Sequence, residues 1–396
     1  MTTATTHRPP ARELGLYFAT NVITRGVLAV LGLIAADGLG LGPTATAALV
    51  GTGVLSMRFG RLFVAPLSRC GSRATVVVGH ALSGVGLLLL AAGERVAASA
   101  WVGVVILGVG YGAVVLAIKV DLVGRAEGTD DRLRILTWLS MALNLAAALG
   151  PSAAGLLLAG PGTGTALLVA AAAAFACAAV ACWLPVAPIG PTERFRWSAL
   201  RRAAEPDVAV ALVSLVVAFA MYAQLASVLP LVVGSTIGVA WVGAVFAGNA
   251  VIVLAAQMPV ARLSRRFPSL ARQSGPLGTL LFATGFGVLA VSTHVAAIAA
   301  CVVLVSLAEC LVLPFVERDL AERLSSTGLA AVFTLTAAAM GVGETAGSVL
   351  GVHAALGTAG SLPRFMAGLA VVGVVAALVL ASVIRHRTTP REGSSS

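Results

Sequence analysis

Twelve apolar stretches, each near the roughly 20 residues that an α-helix needs to cross a hydrocarbon core, take up almost the whole chain. They run over residues 14–36, 44–66, 73–93, 97–119, 134–159, 164–185, 207–233, 238–261, 275–293, 295–316, 328–356 and 364–385. Lipid offers no partner to an exposed peptide group, so such stretches must close their own hydrogen bonds as helices. The sequence therefore predicts an all-α integral membrane fold with twelve transmembrane helices. Only 11% of the 396 residues are charged, against about 25% in soluble domains, which excludes a soluble enzyme of this length.

The formal charge of +10 is a topology signal rather than a nucleic-acid footprint. Twenty-two of the 26 Lys and Arg residues lie on the two tails and on the loops that lead from an even to an odd span. Arg95 and Arg364 alone lie on the opposite side, and Arg25 and Arg58 fall within spans. Positive charge collects on the cytoplasmic side, so both termini are expected there. Tryptophan marks the interface. Trp101 and Trp241 open spans 4 and 8, Trp138 and Trp183 lie near the cytoplasmic ends of spans 5 and 6, and Trp197 falls in the central loop. Residues 1–13 form a polar tail containing Pro9-Pro10. The first apolar run reads as a retained helix rather than a cleaved leader. Five cysteines show no metal spacing and no disulfide framework. Arginine outnumbers the single lysine, Lys119, by 25 to one, as in a GC-rich bacterial genome.

The longest polar interruption, residues 186–206, divides the chain into bundles at 14–185 and 207–385, with a tail at 386–396. Within it, Arg194-Phe195-Arg196-Trp197 and Leu200-Arg201-Arg202 have the spacing of a short helix lying on the inner leaflet. The halves echo each other. Arg61, Arg69 and Arg73 in loop 2–3 answer Arg262, Arg265, Arg266 and Arg272 in loop 8–9. The mixed charges of Gly128–Arg132 in loop 4–5 answer those of Asp319–Ser326 in loop 10–11. Gly150-Pro151 in span 5 lies at nearly the depth of Gly343-Glu344 in span 11. Two parallel six-helix halves with a site between them near the midplane is a transporter architecture.

At this point the chain resembles the major facilitator superfamily along its whole length. Val64-Ala65-Pro66-Leu67-Ser68-Arg69-Cys70-Gly71-Ser72-Arg73 is similar to that family's loop 2–3 signature; Arg69, Gly71 and Arg73 match, and Ser68 stands at the acidic position. Gly150-Pro151-x-x-x-Gly155 is similar to the helix 5 signature of the drug–proton antiporters, with Ala154 in place of one glycine. Gly108-x-Gly110-x-Gly112 resembles helix 4, but Val104 and Val105 stand where that branch carries an arginine. Tyr222-Ala223-Gln224 to Leu229-Pro230-Leu231 is similar to helix 7 of family exporters. The resemblance implies alternating access, with Arg69, Gly71, Arg73, Gly150, Pro151 and Gly155 as conformational or gating positions. Physically, small residues let helix 5 approach a neighbour closely and a proline bends it.

Ionisable groups at membrane depth are costly and mark function by default. Arg25 in span 1, Glu309 in span 10 and Glu344 in span 11 are the proton-coupling candidates. Glu13, Tyr17, Asn21 and Arg25 recur every four residues and share one helix face, which is expected to line a cavity. Arg25 either serves that cavity or is locked to a structural partner. Glu344 either carries the coupling proton or bonds a neighbouring helix. Glu309 is open between coupling and helix packing. Asp37 reads as a solvated cap, and Asp121 and Arg125 as a local i,i+4 pair. Tyr17, Asn21, Arg25, Asn144, Tyr222, Gln224, Asn249 and Gln257 are the substrate-binding candidates; each orients a substrate or holds helices together.

The only lysine follows Ile118, so there is no phosphate-binding loop, and no catalytic or metal-binding signature occurs. No enzyme activity, cofactor, metal or nucleic-acid partner is expected. The expectation is a monomeric, proton-coupled exporter in the bacterial inner membrane, in contact with lipid. Its cargo is an amphipathic compound such as a drug, an antibiotic natural product or a hydrophobic peptide. Import of a small metabolite or peptide, and a non-transporting membrane sensor, are the alternatives.

Overall fold

The computed structural model describes residues 11–67, 71–125, 129–184, 204–323, 329–358 and 360–388. Among them there is no strand. The helices are α1 Ala11–Leu33, α2 Pro43–Leu67, α3 Ser72–Ala92, α4 Ala97–Gly124, α5 Thr129–Ala159, α6 Thr163–Ala181, α7 Pro206–Ser227, α8 Ala240–Arg266, α9 Pro268–Val291, α10 Val295–Arg323, α11 Leu329–Leu356 and α12 Ser361–Thr388. A single π-helical turn, Ile34–Gly38, extends α1, and a second segment, Leu229–Thr236, extends α7 beyond Val228. Each predicted span lies on one of these helices. Among the described residues, eleven of these helices, all but α2, are long and apolar enough to cross a membrane, so the chain is a multi-pass membrane protein.

The helices outrun the spans at their charged ends. Thr129 to Arg132 belong to α5 and Asp319 to Arg323 belong to α10, where loop was expected. Hydropathy marks where lipid ends, whereas a helix ends where its backbone ladder ends, and the two need not coincide. The expected surface helix within 186–206 falls largely outside the described residues.

Two compact units emerge: Met1–Arg194 with Val239–Ala247, and Phe195–Gly238 with Gly248–Ser396. The first turns of α8 thus belong with the first unit. Inside the first unit α3 packs on α4 and α6, α2 on α4, and α1 on α5. Inside the second, α9 packs on α10 and α12, and α7 on α11. The pairs 1–5 and 7–11, 3–4 and 9–10, and 3–6 and 9–12 repeat with an offset of six, which is the internal repeat written in packing.

The core of the first unit gathers Leu16, Tyr17, Met57, Tyr111, Ile118 and Leu139. In the second, Phe282 and Phe286 stack with centroids 6.2 Å apart and are fully buried. The outward faces are just as apolar: Leu378 is 66% exposed and Leu156 65%. A water-facing helix would place polar residues there, so this all-round hydrophobicity is that of a helix facing lipid. Trp138, Trp183 and Trp241 are also exposed.

Candidate functional site

The first unit carries a polar seam between α1 and its neighbours. Of the α1 stripe, Glu13, Tyr17 and Asn21 are buried, while Arg25 is half-buried. Tyr111 Oη of α4 donates to Asn21 Oδ1 at 2.8 Å, and Asn21 Nδ2 donates to Tyr17 O at 2.8 Å. Arg125 Nη1 reaches Glu13 Oε1 at 3.3 Å, Nε reaches Asp121 Oδ1 at 3.2 Å, and Nη2 pairs with Asp121 Oδ2. The local Asp121–Arg125 pair is therefore present and extends to α1. A shallow cleft over this cluster is lined by Ser72, Val76, Ala117 and Leu184. Higher in the seam, the Thr20 hydroxyl donates to Leu16 O at 2.7 Å and faces His80 Nε2 at 3.3 Å. Its single proton being committed, Thr20 must accept, which assigns the imidazole proton to Nε2.

The gating candidates lie where backbones nearly touch. A Cβ on Gly26 of α1 would stand 2.7 Å from Gly150 O of α5, and one on Gly150 would collide with Val22 O. Pro151 is buried one residue on and lacks the N–H that would continue the ladder. Ser152 Oγ lies 2.7 Å from Ala148 O and 3.0 Å from Gly243 O, so its proton is shared between its own helix and the start of α8. A Cβ on Gly155 would stand 3.4 Å from Val239 O. Gly71 opens α3 at φ 89°, a left-handed conformation that favours glycine. Arg73 Nη1 donates to Cys182 O and Leu184 O, each at 3.3 Å, placing a cation at the end of α6 where the helix dipole is negative. Arg69 lies outside the described residues.

In the second unit, Gly343, Gly347 and Gly351 of α11 face Val216, Ala220 and Gln224 of α7 in turn. Gln224 is 1% exposed. Its Nε2 donates to Ala220 O at 2.7 Å and to Gly347 O at 3.0 Å. Two carbonyl acceptors fix the orientation of the amide, and Gln224 Oε1 is left buried without a hydrogen-bond partner, a cost of about 1–3 kcal/mol. Asn249 Nδ2 of α8 donates to Ser306 Oγ of α10 at 2.8 Å, and Ser306 donates in turn to Val302 O at 2.6 Å. Tyr222 packs edge-on to Phe219, centroids 5.7 Å apart. Asn144, Tyr222, Gln257, Glu309 and Glu344 are half-buried; Glu344 directly follows Gly343 of the seam.

Sequence reasoning passed over Tyr111, Ser306 and the link from Arg125 to Glu13, because a single sequence gives a residue's face but not the helix opposite. It also passed over Gly351 and Gly243. For Gly351 the signal was present, since Gly343, Gly347 and Gly351 recur every four residues, the small-residue spacing of close membrane helices.

The sequence matches the family model described as Major Facilitator Superfamily over residues 14–274. No curated protein matches it in sequence. Among solved structures, a peptide transporter, POT, in complex with alafosfalin is 16% identical with a TM-score of 0.73, covering 96% of each chain. A POT family transporter in complex with 5-aminolevulinic acid is 14% identical with a TM-score of 0.75, covering 97% of this chain and 98% of the other. The nucleoside transporter NupG is 13% identical with a TM-score of 0.71, covering 95% and 98%. At such identities the likeness carries the fold and no further.

Proposed function

The chain belongs to the major facilitator superfamily, and from that premise we propose that it is a proton-coupled secondary transporter exporting an amphipathic organic compound. The observation that carries export is the antiporter-like segment of α5. Gly150 meets Gly26 backbone to backbone, and Ser152 and Gly155 lie against the start of α8. In this reading the segment is a tight contact that is made and broken as the cavity changes sides, and Pro151 supplies the bend.

Glu344 is the proposed coupling acid. Glu344 gains a proton when the cavity opens outward and loses it when the cavity opens inward, and cargo competes for the same site. Glu309 is the second candidate, and Arg25 of α1 is the third proton-coupling candidate. Asn144, Tyr222 and Gln257 supply cargo contacts, and Tyr17, buried in the core of the first unit, joins them only when that core opens. Asn21, Gln224 and Asn249 enter that set only when they exchange a helix-to-helix bond for one to cargo. In this reading the protein works as a monomer in a bacterial inner membrane, and the arginine distribution supports cytoplasmic termini.

A second reading, uptake of a peptide or small metabolite, is supported by the peptide and nucleoside transporters among the similar folds. One experiment separates the two. An efflux-deficient bacterium expresses the native chain, Glu344→Gln or nothing, at equal membrane levels. It is challenged with a panel of natural-product antibiotics and, separately, with labelled alafosfalin. Export predicts protection of at least about tenfold for one compound. That protection is lost in Glu344→Gln and collapsed by an uncoupler. Alafosfalin accumulation above the empty host, with no protection, replaces export by import.

A further inference from the structure

Helices α8 and α9 meet at a turn of one residue. α8 ends at Arg266, α9 begins at Pro268, and Phe267 alone lies between them. Arg262, Arg265, Arg266 and Arg272 fall at or beside this turn, and residues 208–308 contain no Asp or Glu. Arg262 and Arg266 are exposed, and among the described residues neither has an ion-pair partner. Four residues apart, they share a helix face, where like charges repel and an anion between them would relieve the repulsion. The Arg266 guanidinium lies 5.9 Å from the centroid of the Phe267 ring, a cation–π distance that holds the charge beside the turn. Phe267 is itself 47% exposed.

The rest of this face of α8 is apolar. Val251, Ala255 and Pro259 precede Arg262 and Arg266 at helical spacing and are exposed, and the exposed Leu254 and Leu263 flank them. From Val251 to Arg262 the helix rises about 16 Å, close to the depth of one leaflet in a hydrocarbon core about 30 Å thick. The face therefore matches a lipid along its length, with hydrocarbon one leaflet deep and cations where the phosphate lies. The corresponding turn of the first unit differs. There Arg73 donates to Cys182 O and Leu184 O, so its charge is already engaged by the end of α6.

We propose that the α8–α9 turn binds the phosphate of an anionic phospholipid through Arg262 and Arg266. Phe267 seats among the headgroups, and an acyl chain lies along Val251, Leu254 and Pro259. A zwitterionic lipid brings its own ammonium beside the phosphate and is the poorer ligand. The site requires a chain that spans a bilayer; it does not rest on the direction of transport or on its coupling.

Native mass spectrometry of the intact protein in mild detergent tests the site, with phosphatidylglycerol, phosphatidylcholine and inorganic phosphate as separate probes. The tightest site is expected to prefer phosphatidylglycerol to phosphatidylcholine by at least about tenfold. Arg262→Gln with Arg266→Gln should weaken phosphatidylglycerol binding by about thirtyfold, the effect of two arginines near a membrane surface. Either change alone, milder for folding, should weaken it by about fivefold. Arg95→Gln with Arg364→Gln, at the other side of the membrane, should leave the tightest site unchanged. α10, which packs on α9, ends with Glu317, Asp319 and Glu322. If those carboxylates neutralise the turn, the preference for phosphatidylglycerol will be absent, and the site is overturned. Unchanged affinity in the single and double variants, or an equal loss in Arg95→Gln with Arg364→Gln, overturns it as well. Displacement of the lipid by inorganic phosphate would make the turn a site for a free anion and overturn the lipid as its ligand.

Discussion

The contact of α1 with α5 and that of α7 with α11 occupy equivalent places in the two halves, yet they are built from different chemistry. In the first, one glycine on each helix brings main chain against main chain: Gly26 meets Gly150, and Gly150 meets Val22. In the second, all three glycines lie on α11: Gly343 and Gly347 meet the main chain of Val216 and Ala220, and only Gly351 meets side chains, the amide of Gln224 among them. The contacts between α2 and α4 and between α8 and α10 differ in the same direction. Gly60 and Gly108 let α2 and α4 close on each other's backbone, whereas Asn249 and Ser306 join α8 to α10 through a hydrogen bond. Without a hydrophobic force between helices in lipid, association depends on close approach and on polar bonds. The first half relies more on the former and the second more on the latter. A backbone contact has one geometry and a side-chain contact has rotamers, so the adaptable places in the second half are the Gly351–Gln224 end of the α7–α11 contact and the Asn249–Ser306 bond.

The largest expected effect breaks the comparison outright. Gly150→Leu places a side chain against immovable backbone and should cost at least about 3 kcal/mol, at the upper end of overpacking, with no single compensating change. Thermal unfolding and yield in mild detergent would measure it, and a normal melting temperature would mean that α1 and α5 are not in rigid contact. Next, Gly351→Ala should cost about 2 kcal/mol, because its Cβ would strike the Gln224 amide. Gln224→Ala in the same chain should return about 1 kcal/mol or more of that loss. Strict additivity of the two changes would deny the adaptable character claimed for this contact. Asn249→Leu should cost about 0.6–1.7 kcal/mol, the range of hydrogen bonds between membrane helices, and a larger loss would show α8 and α10 to be as tightly specified as α2 and α4. The smallest effect is expected at the α4 pair. Asp121 is 7% exposed, but its partner Arg125 is 37% exposed and keeps Glu13 as a second carboxylate, so Asp121→Asn, which keeps the shape, should change stability by less than about 1 kcal/mol.

What the sequence made legible follows from what period and hydropathy encode. The twelve helices came from runs of apolar residues, and the Asp121–Arg125 pair came from helical geometry alone. The resemblance of Gly150-Pro151 to an antiporter motif located a real backbone contact, because only small residues permit one. Asn21 with Tyr111, Glu13 with Arg125 and Asn249 with Ser306 were hidden, since each joins helices distant in sequence and any polar residue on a given face would have read alike. For the same reason the sequence offered Asn21 and Asn249 as cargo candidates with no sign of the bonds both amides make between helices. Cargo and direction stay at the level of proposal for a chemical reason. A mostly apolar translocation path leaves few polar signatures, and folds at 13–16% identity share backbone paths, not side-chain chemistry.

The turns that lead from an odd to an even helix are very short. Residues 39–42, 93–96, 160–162, 237–239 and 292–294 each leave only three or four residues outside helical segments. A stable recognition surface needs about 800 Å² from each partner, and no single turn of that length offers it. An antibody raised against any one of these turns as a peptide should therefore fail on the native protein. A binder that succeeds must span several turns at once, so its affinity would report how those helix ends are spaced. Such a reagent would be a gauge of conformation as much as a label.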